Sequence, residues 1–445
     1  MRKPAPPWPG LAFEGNCVII IDIHSRSPRA PGWYLMGQTM ASALSNLIQA
    51  FVFLSGLFYL LLSLRGFAPV RKPARAARQR RFALLVPAHN EEGVIGLAVE
   101  SLRRLDYPAG LFDIFVITDH CTDGTAAAAS AAGAKVLDHS GPGLKAGKGR
   151  ALKWATGLIL PGGYDALCYF DADSLAHPRF LAVMNDHLEA GAEAVQGRQL
   201  AKNSGVWLAR VLASGHIVSN RFAQLPRQAL GLSATLHGKG MCFSAAVAAR
   251  FPWDETCLTE DLEMQMRLAR HGVRIAWAED AVVYDEEPET LNQYLCRTIR
   301  WTRGSLDTAR RHLLGLFARA LRRADLKALE AGIYCAQTYR FVAVLAGAAL
   351  VWVTRDSFNI IVWLYASLPG AEHAMKLLAL LPLLLYPAVA LLLERAPLSL
   401  LLAYFMQPAL GVLRLPVFIA GVLRGTDFWG RTEHTSRVAI ADLVD

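Results

Sequence analysis

Residues 43–64, ALSNLIQAFVFLSGLFYLLLSL, carry no formal charge over a length that crosses a bilayer as a helix. Directly behind this run, RKPARAARQRR brings in Arg71, Lys72, Arg75, Arg78, Arg80 and Arg81. Positive charge flanking a spanning helix marks the cytoplasmic side. The polar stretch that follows is therefore expected in the cytoplasm, attached to an inner (plasma) membrane as part of a multi-pass chain. Composition agrees: 53% of the 445 residues are hydrophobic and 19% charged, more apolar than an ordinary soluble protein. A basic run also suits nucleic acid, but neither aromatic interleaving nor a nucleic-acid-binding motif accompanies it, so no such partner is expected.

The 7 cysteines include no CxxC pair, which argues against a disulfide framework and a zinc cluster. The start, MRKPAPPWPG, is Pro-rich and unlike a signal peptide. The expected organisation is an N-terminal segment (1–42), a transmembrane helix (43–64), a cytoplasmic domain (71–305), an amphipathic interface helix (306–330), transmembrane or interfacial helices (331–423) and a tail (424–445). In the interface helix, apolar residues near 313, 314, 317, 320 and 321 oppose Arg310, Arg319, Arg322, Arg323 and Lys327. That pattern suits a membrane surface. Apolar spans near 333–353, 375–393 and 398–413 follow. One span before the polar domain and three after it would leave the tail outside, whereas Arg424, Arg431 and Arg437 favour the inside.

Within residues 82–285, strand-like and helix-like pieces alternate: FALLV before PAHNEE, FDIFVIT before DHCTDGT, ALCYF before DADS. Repeated βα units with short loops predict an α/β fold, Rossmann-like with a mostly parallel sheet. Ligands would then sit at the C-terminal ends of the strands. Acidic residues gather at those ends. Asp119 follows a strand, in a context where Asp also makes turns. Asp171 and Asp173 stand two apart; strand residues at that spacing face the same way, and paired carboxylates can hold a divalent cation. Helix capping by Asp173 or Ser174 is the alternative. In LTEDLEM, Glu260 and Asp261 suit either the first turn of a helix or a general base. GPGLKAGKGRAL fails as a nucleoside-triphosphatase phosphate loop because Gly149 stands where Ser or Thr is needed, yet Lys148 at a helix start can meet an anion.

In order, VPAHNEE, TDHCTDGT, AGKGRAL, FDADS, LHGKGMCF, LTEDLEM and RW resemble the membrane-bound family 2 glycosyltransferases, the group of cellulose, chitin and hyaluronan synthases. FWGRTEH resembles that group's Trp-x-Arg-Thr tail more weakly. The resemblance implies a GT-A fold and an inverting transfer from a nucleotide-diphosphate sugar, usually a UDP-sugar. By motif position it implies Ala88, Glu91, Asp119 and Lys148 near the nucleotide, with Asp171 and Asp173 holding Mg²⁺ or Mn²⁺ against the diphosphate. Asp261 would be the base, Arg300 a diphosphate contact, Trp301 a platform for the acceptor sugar, and Glu260 its neighbour on the acceptor side.

One position departs. The polymerising members carry Gln-x-x-Arg-Trp, and Arg297 occupies the Gln position, which puts processive extension in question. The leading expectation is extension of a polysaccharide at the membrane. Single transfer to a lipid-linked acceptor is the alternative, and a catalytically silent membrane scaffold or transport component is a reading of another class.

Overall fold

A computed structural model describes residues 32–354, 385–423, 434 and 436–444. Its centre is an eight-stranded sheet: β1 (Phe82–Ala88), β2 (Phe112–Thr118), β3 (Lys135–Asp138), β4 (Ala166–Tyr169), β5 (Leu175–Ala176), β6 (Ala194–Ala201), β7 (Met241–Ser244) and β8 (Ile275–Asp285). The strand order is β3-β2-β1-β4-β7-β6-β8-β5. Pairs β1/β2, β1/β4, β2/β3 and β6/β8 are parallel, while β7 lies antiparallel to β4 and β6, and β5 to β8. The sheet is thus mixed and mostly parallel, as expected.

The α-helices up to residue 354 are α1 (Gly32–Leu64), α2 (Ile95–Arg103), α3 (Thr125–Ala131), α4 (Lys148–Ile159), α5 (Phe180–Glu189), α6 (Trp207–Ser219), α7 (Leu225–Ala229), α8 (Ala245–Arg250), α9 (Glu260–His271), α10 (Leu291–Arg323) and α11 (Leu326–Thr354), with Leu398–Tyr404, Gln407–Val412 and Arg414–Leu423 after them. Strand alternation sorts the core into two layers. Phe82, Leu84 and Val86 of β1 pack with Ile95, Val99 and Leu102 of α2 on one face. Ala83 and Leu85 pack with Ala151, Leu152 and Ala155 of α4 on the other. A strand covered on both faces reads as a continuous apolar run, which is why FALLV lacks a polar alternate. Because β1 is followed by neighbours on opposite sides, the loops after β1, β2 and β4 open a crevice at one edge of the sheet.

Two expectations about elements change. The RTIRW segment and the basic amphipathic helix, expected to divide at 305/306, form one helix, α10. Its start is set by a capping box in which Thr290 accepts from the Gln293 N–H and the Gln293 side chain returns to the Thr290 N–H. The apolar stripe is also rotated. Ala309 and Leu316 pack with Met266 and Ala269 of α9 and Ala331 and Cys335 of α11; of the expected positions Leu313 packs against this cluster and Ala320 is buried, while Leu314 and Leu321 stay exposed beside Arg310, Arg322 and Arg323.

Among the described residues, Thr39–Phe67 is the one unbroken helix long and apolar enough to cross a membrane. There are up to 3 if two bent pairs, Leu326–Arg340 with Val342–Val353 and Leu398–Val412 with Pro416–Val422, each count as a span. The expected span 375–393 is described only from 385, and the Trp-x-Arg-Thr segment lies outside the described residues apart from His434.

Candidate active site

The crevice is tied together by Asp119. Its N–H donates to the Ala88 carbonyl at the end of β1 (2.8 Å). Its Oδ1 lies 2.8 Å from Nδ1 of both His120 and His139, and its Oδ2 accepts the Gly147 N–H at 2.7 Å. The carboxylate, expected at the nucleotide, therefore joins the loops after β2 and β3 to the start of α4, and both of its oxygens have protein partners. Glu91, just past β1, has both oxygens 3.2 Å from Nδ1 of His434.

Asp171 and Asp173 lie just past β4, and Asp285 ends β8; one carboxylate oxygen of each falls within 4.8 Å of the others. Helix capping does not explain Asp173 or Ser174, because α5 starts behind Arg179. Asp173 instead accepts the Glu286 N–H at 3.4 Å, and its carbonyl accepts from Lys202 at 2.8 Å. Asp285 is held through Oδ2 by Lys239 and Gln199, whereas its Oδ1 is buried with no hydrogen-bond partner. A buried oxygen without a donor is costly. Burial pushes the Asp285 carboxyl upward, with Lys239 opposing. Hard oxygens in this number, one of them orphaned, fit a divalent cation of the Mg²⁺ or Mn²⁺ type.

Lys148, the first residue of α4, places Nζ 2.5 Å from Asp171 Oδ1 and 3.0 Å from Glu260 Oε1. Burial works against its ammonium, but these two carboxylates outweigh it and keep Lys148 charged. Gly149 is not a degenerate phosphate-loop Ser: a Cβ there would run into the Asp254 carbonyl. Asp261 sits half-buried in the first turn of α9, behind Thr259, whose side chain makes no cap bond. Burial and then the like charge of Glu260 push the Asp261 carboxyl up to about 6. Gly238 lets the GKG turn pass in a left-handed conformation (φ +78°); its Cβ would stand 3.3 Å from Asp261 Oδ2 and 3.4 Å from Lys148 Nζ.

From α10, Arg300 makes no ion pair or hydrogen bond among the described residues, and its Nε is buried without a partner. Trp301 is 46% exposed. Arg297, which stands at the Gln position of the polymerising members, donates from Nη2 to Glu287 Oε2 at 2.8 Å.

Four residues that sequence reasoning passed over belong here: Lys239, Asp285, Glu287 and His434. Lys239 stood within a quoted motif between two glycines, and Asp285 and Glu287 stood in the acidic end of YDEE, where a third strand-end acid could have been suspected. His434 ends the quoted FWGRTEH, which gave it no role of its own; only folding brings it to Glu91 and Asp173. Its Nε2 lies 3.8 Å from Asp173 Oδ2, and although burial works against its charge, Asp173 and Glu91 push it up to about 9.

A mixed, mostly parallel α/β domain with a carboxylate cluster at its strand ends has the architecture expected of a GT-A glycosyltransferase. The sequence profile described as "Glycosyltransferase like family 2" matches residues 79–304, and the chain belongs to that family. It is 28% identical over 237 residues to "Probable glycosyltransferase YdaM" of Bacillus subtilis, covering 51% of this chain and 55% of that one. It is 26% identical over 235 residues to "Beta-monoglucosyldiacylglycerol synthase" of Synechocystis, covering 50% and 47%. The chain thus spans about half the length of the curated relatives it matches. Its fold resembles that of the mannosyltransferase PcManGT from Pyrobaculum calidifontis, solved with GDP-Man and Mn²⁺, at a TM-score of 0.53 and 19% identity, covering 82% of this chain and 98% of that one.

Proposed function

We propose that the chain is an inverting, metal-dependent glycosyltransferase that moves one sugar from a nucleoside-diphosphate donor, a UDP-sugar first among them, to a hydroxyl of a lipid acceptor at the membrane surface. The observation that carries the chemistry is the convergence of Asp171, Asp173, Asp285, Lys148 and Asp261 at one end of the sheet, all within a family 2 domain. Asp171, Asp173 and Asp285 would hold Mg²⁺ or Mn²⁺, which supplies positive charge against the diphosphate leaving group.

Ala88, Glu91 and Asp119 border the nucleotide, Asp119 through the loops that it ties. Lys148 and Arg300, which has no partner among the described residues, meet diphosphate oxygens, where negative charge develops as the sugar's anomeric C–O bond breaks. Asp261 takes the proton of the acceptor hydroxyl as that oxygen bonds the anomeric carbon from the opposite face. Its raised pKa suits proton transfer near neutrality. Trp301 offers an apolar ring to the acceptor with Glu260 alongside.

Three observations support a lipid acceptor: the relative named for glucosyldiacylglycerol synthesis, the apolar helix Thr39–Phe67, and Leu314 and Leu321 exposed among arginines on α10. Residence at the membrane with the catalytic domain cytoplasmic belongs to the same proposal and rests on the basic run after that helix. Extension of a growing polysaccharide is the second reading, favoured by the retained Arg300–Trp301 pair. Incubating purified protein with a panel of UDP-sugars and dioctanoylglycerol in micelles, followed by mass analysis, separates the two. One discrete hexosyl lipid supports the first, a ladder the second, and no sugar transfer from any donor contradicts both.

A further inference from the structure

Glu287 has no exposed side-chain surface. Its Oε1 lies 2.5 Å from Nε2 of His216 on α6, and its Oε2 accepts from Arg297 Nη2 on α10 at 2.8 Å. Its backbone is held as well: Asn203 accepts the Glu287 N–H at 2.7 Å and donates to its carbonyl at 3.0 Å. One helical turn beyond Arg297, the Trp301 ring lies with its centroid 5.0 Å from the Arg297 guanidinium carbon. A carboxylate that cannot turn thus fixes a guanidinium, and the guanidinium attracts the half-exposed indole that lies against it.

A buried ion pair is poor value as a mere staple, because apolar side chains of the same volume hold helices together at least as well. What this one adds is direction. Glu287 is also two residues past Asp285, so the strand end that presents a candidate metal ligand fixes the indole as well.

We infer that His216, Glu287 and Arg297 are positioning residues: a buried ionic brace that holds Trp301 in one orientation for the acceptor, at a fixed offset from the carboxylate cluster. The inference rests on the acceptor role proposed above for Trp301. It also changes the meaning of the Gln-to-Arg departure, since the Arg297 charge is spent inward on Glu287 and adds none to the acceptor side.

The test uses full-length protein labelled with 5-fluorotryptophan, the Trp301 resonance being assigned with Trp301→Phe. Single substitutions strand a buried charge and risk misfolding, so the decisive variant is Glu287→Gln/Arg297→Gln, with His216→Gln beside it. The ¹⁹F resonance of Trp301 is expected to shift and broaden while the other tryptophans hold. With UDP-glucose and dioctanoylglycerol, the acceptor KM is expected to rise about tenfold, the effect of losing one cation–π contact, while the donor KM stays put. In a Trp301→Ala background the double substitution should add no further rise, because the brace acts through that ring. An unmoved Trp301 resonance, or an equal KM increment on top of Trp301→Ala, overturns the brace. If wild-type protein glucosylates nothing while the resonance moves as expected, the proposed acceptor fails and the brace stands.

Discussion

Asp261 is a half-buried carboxyl group beside a second acid, and its pKa of about 6 sets a pH limb. A base works only when ionised, so below pH 6 the protonated form accumulates and the rate falls; above it the rate levels off. The profile of kcat/KM against pH should show that acid limb, and a profile flat down to pH 4 would remove Asp261 as the base. Asp261→Asn should lower transfer by about a thousandfold, within the span of general-base effects, while donor binding measured by calorimetry stays close to wild type. Asp173→Ala should abolish transfer, and excess chelator should do the same to the wild type; activity surviving the chelator would sink the metal assignment. At this scale the placement was legible: Asp171, Asp173 and Asp261 stand in short acidic motifs that the fold brings to one end of the sheet. Asp285 and Glu287 were not singled out, because their partners lie across the sheet at Lys239 and far along the chain at Arg297.

Between elements, the decisive contact is that of α9 with α10. A Cβ at Gly304, three residues after Trp301, would stand 2.5 Å from Thr259 Cγ2 and 2.6 Å from its Oγ1. Thr259 directly precedes Glu260 and Asp261, so the glycine of RWTRG lets one helix seat the start of the other. Gly304→Ala is expected to cost about 1–3 kcal/mol, as overpacking does. It should lower kcat more than donor affinity, since the displaced Thr259 stands at the start of the helix that carries Asp261. Adding Thr259→Ser removes the clashing methyl and should recover part of both losses. Equal kcat for Gly304→Ala and wild type would show that the contact does not place the base. The strands β1, β2 and β4 were readable from apolar runs ending in Asp or Asn loops. The extent of α10 was not: its start depends on a capping box at Thr290, and its buried stripe depends on where α9 and α11 lie.

For the whole molecule, the tail returns to the catalytic domain. His434 meets Glu91, and Ser436 donates its N–H to Glu286 at 3.2 Å. A tail on that side agrees with the arginines around it and requires an even number of crossings after the catalytic domain, if the chain spans the membrane as proposed. A C-terminal tag should therefore be digested by protease only when the cytoplasmic face is open; digestion from the other face would contradict that topology. Counting apolar runs could not reach this result, because hydropathy does not report which side a short polar tail rests on. The reading of the chain as a metal-dependent sugar transferase with Asp261 as its base stands or falls on one comparison. Purified wild type and Asp261→Asn are given UDP-sugars, dioctanoylglycerol and Mn²⁺, and nucleoside diphosphate and glycosylated lipid are quantified by mass spectrometry. Wild type should release both in equal amounts, only with the metal present, and the variant neither. Turnover by Asp261→Asn at the wild-type rate would contradict it.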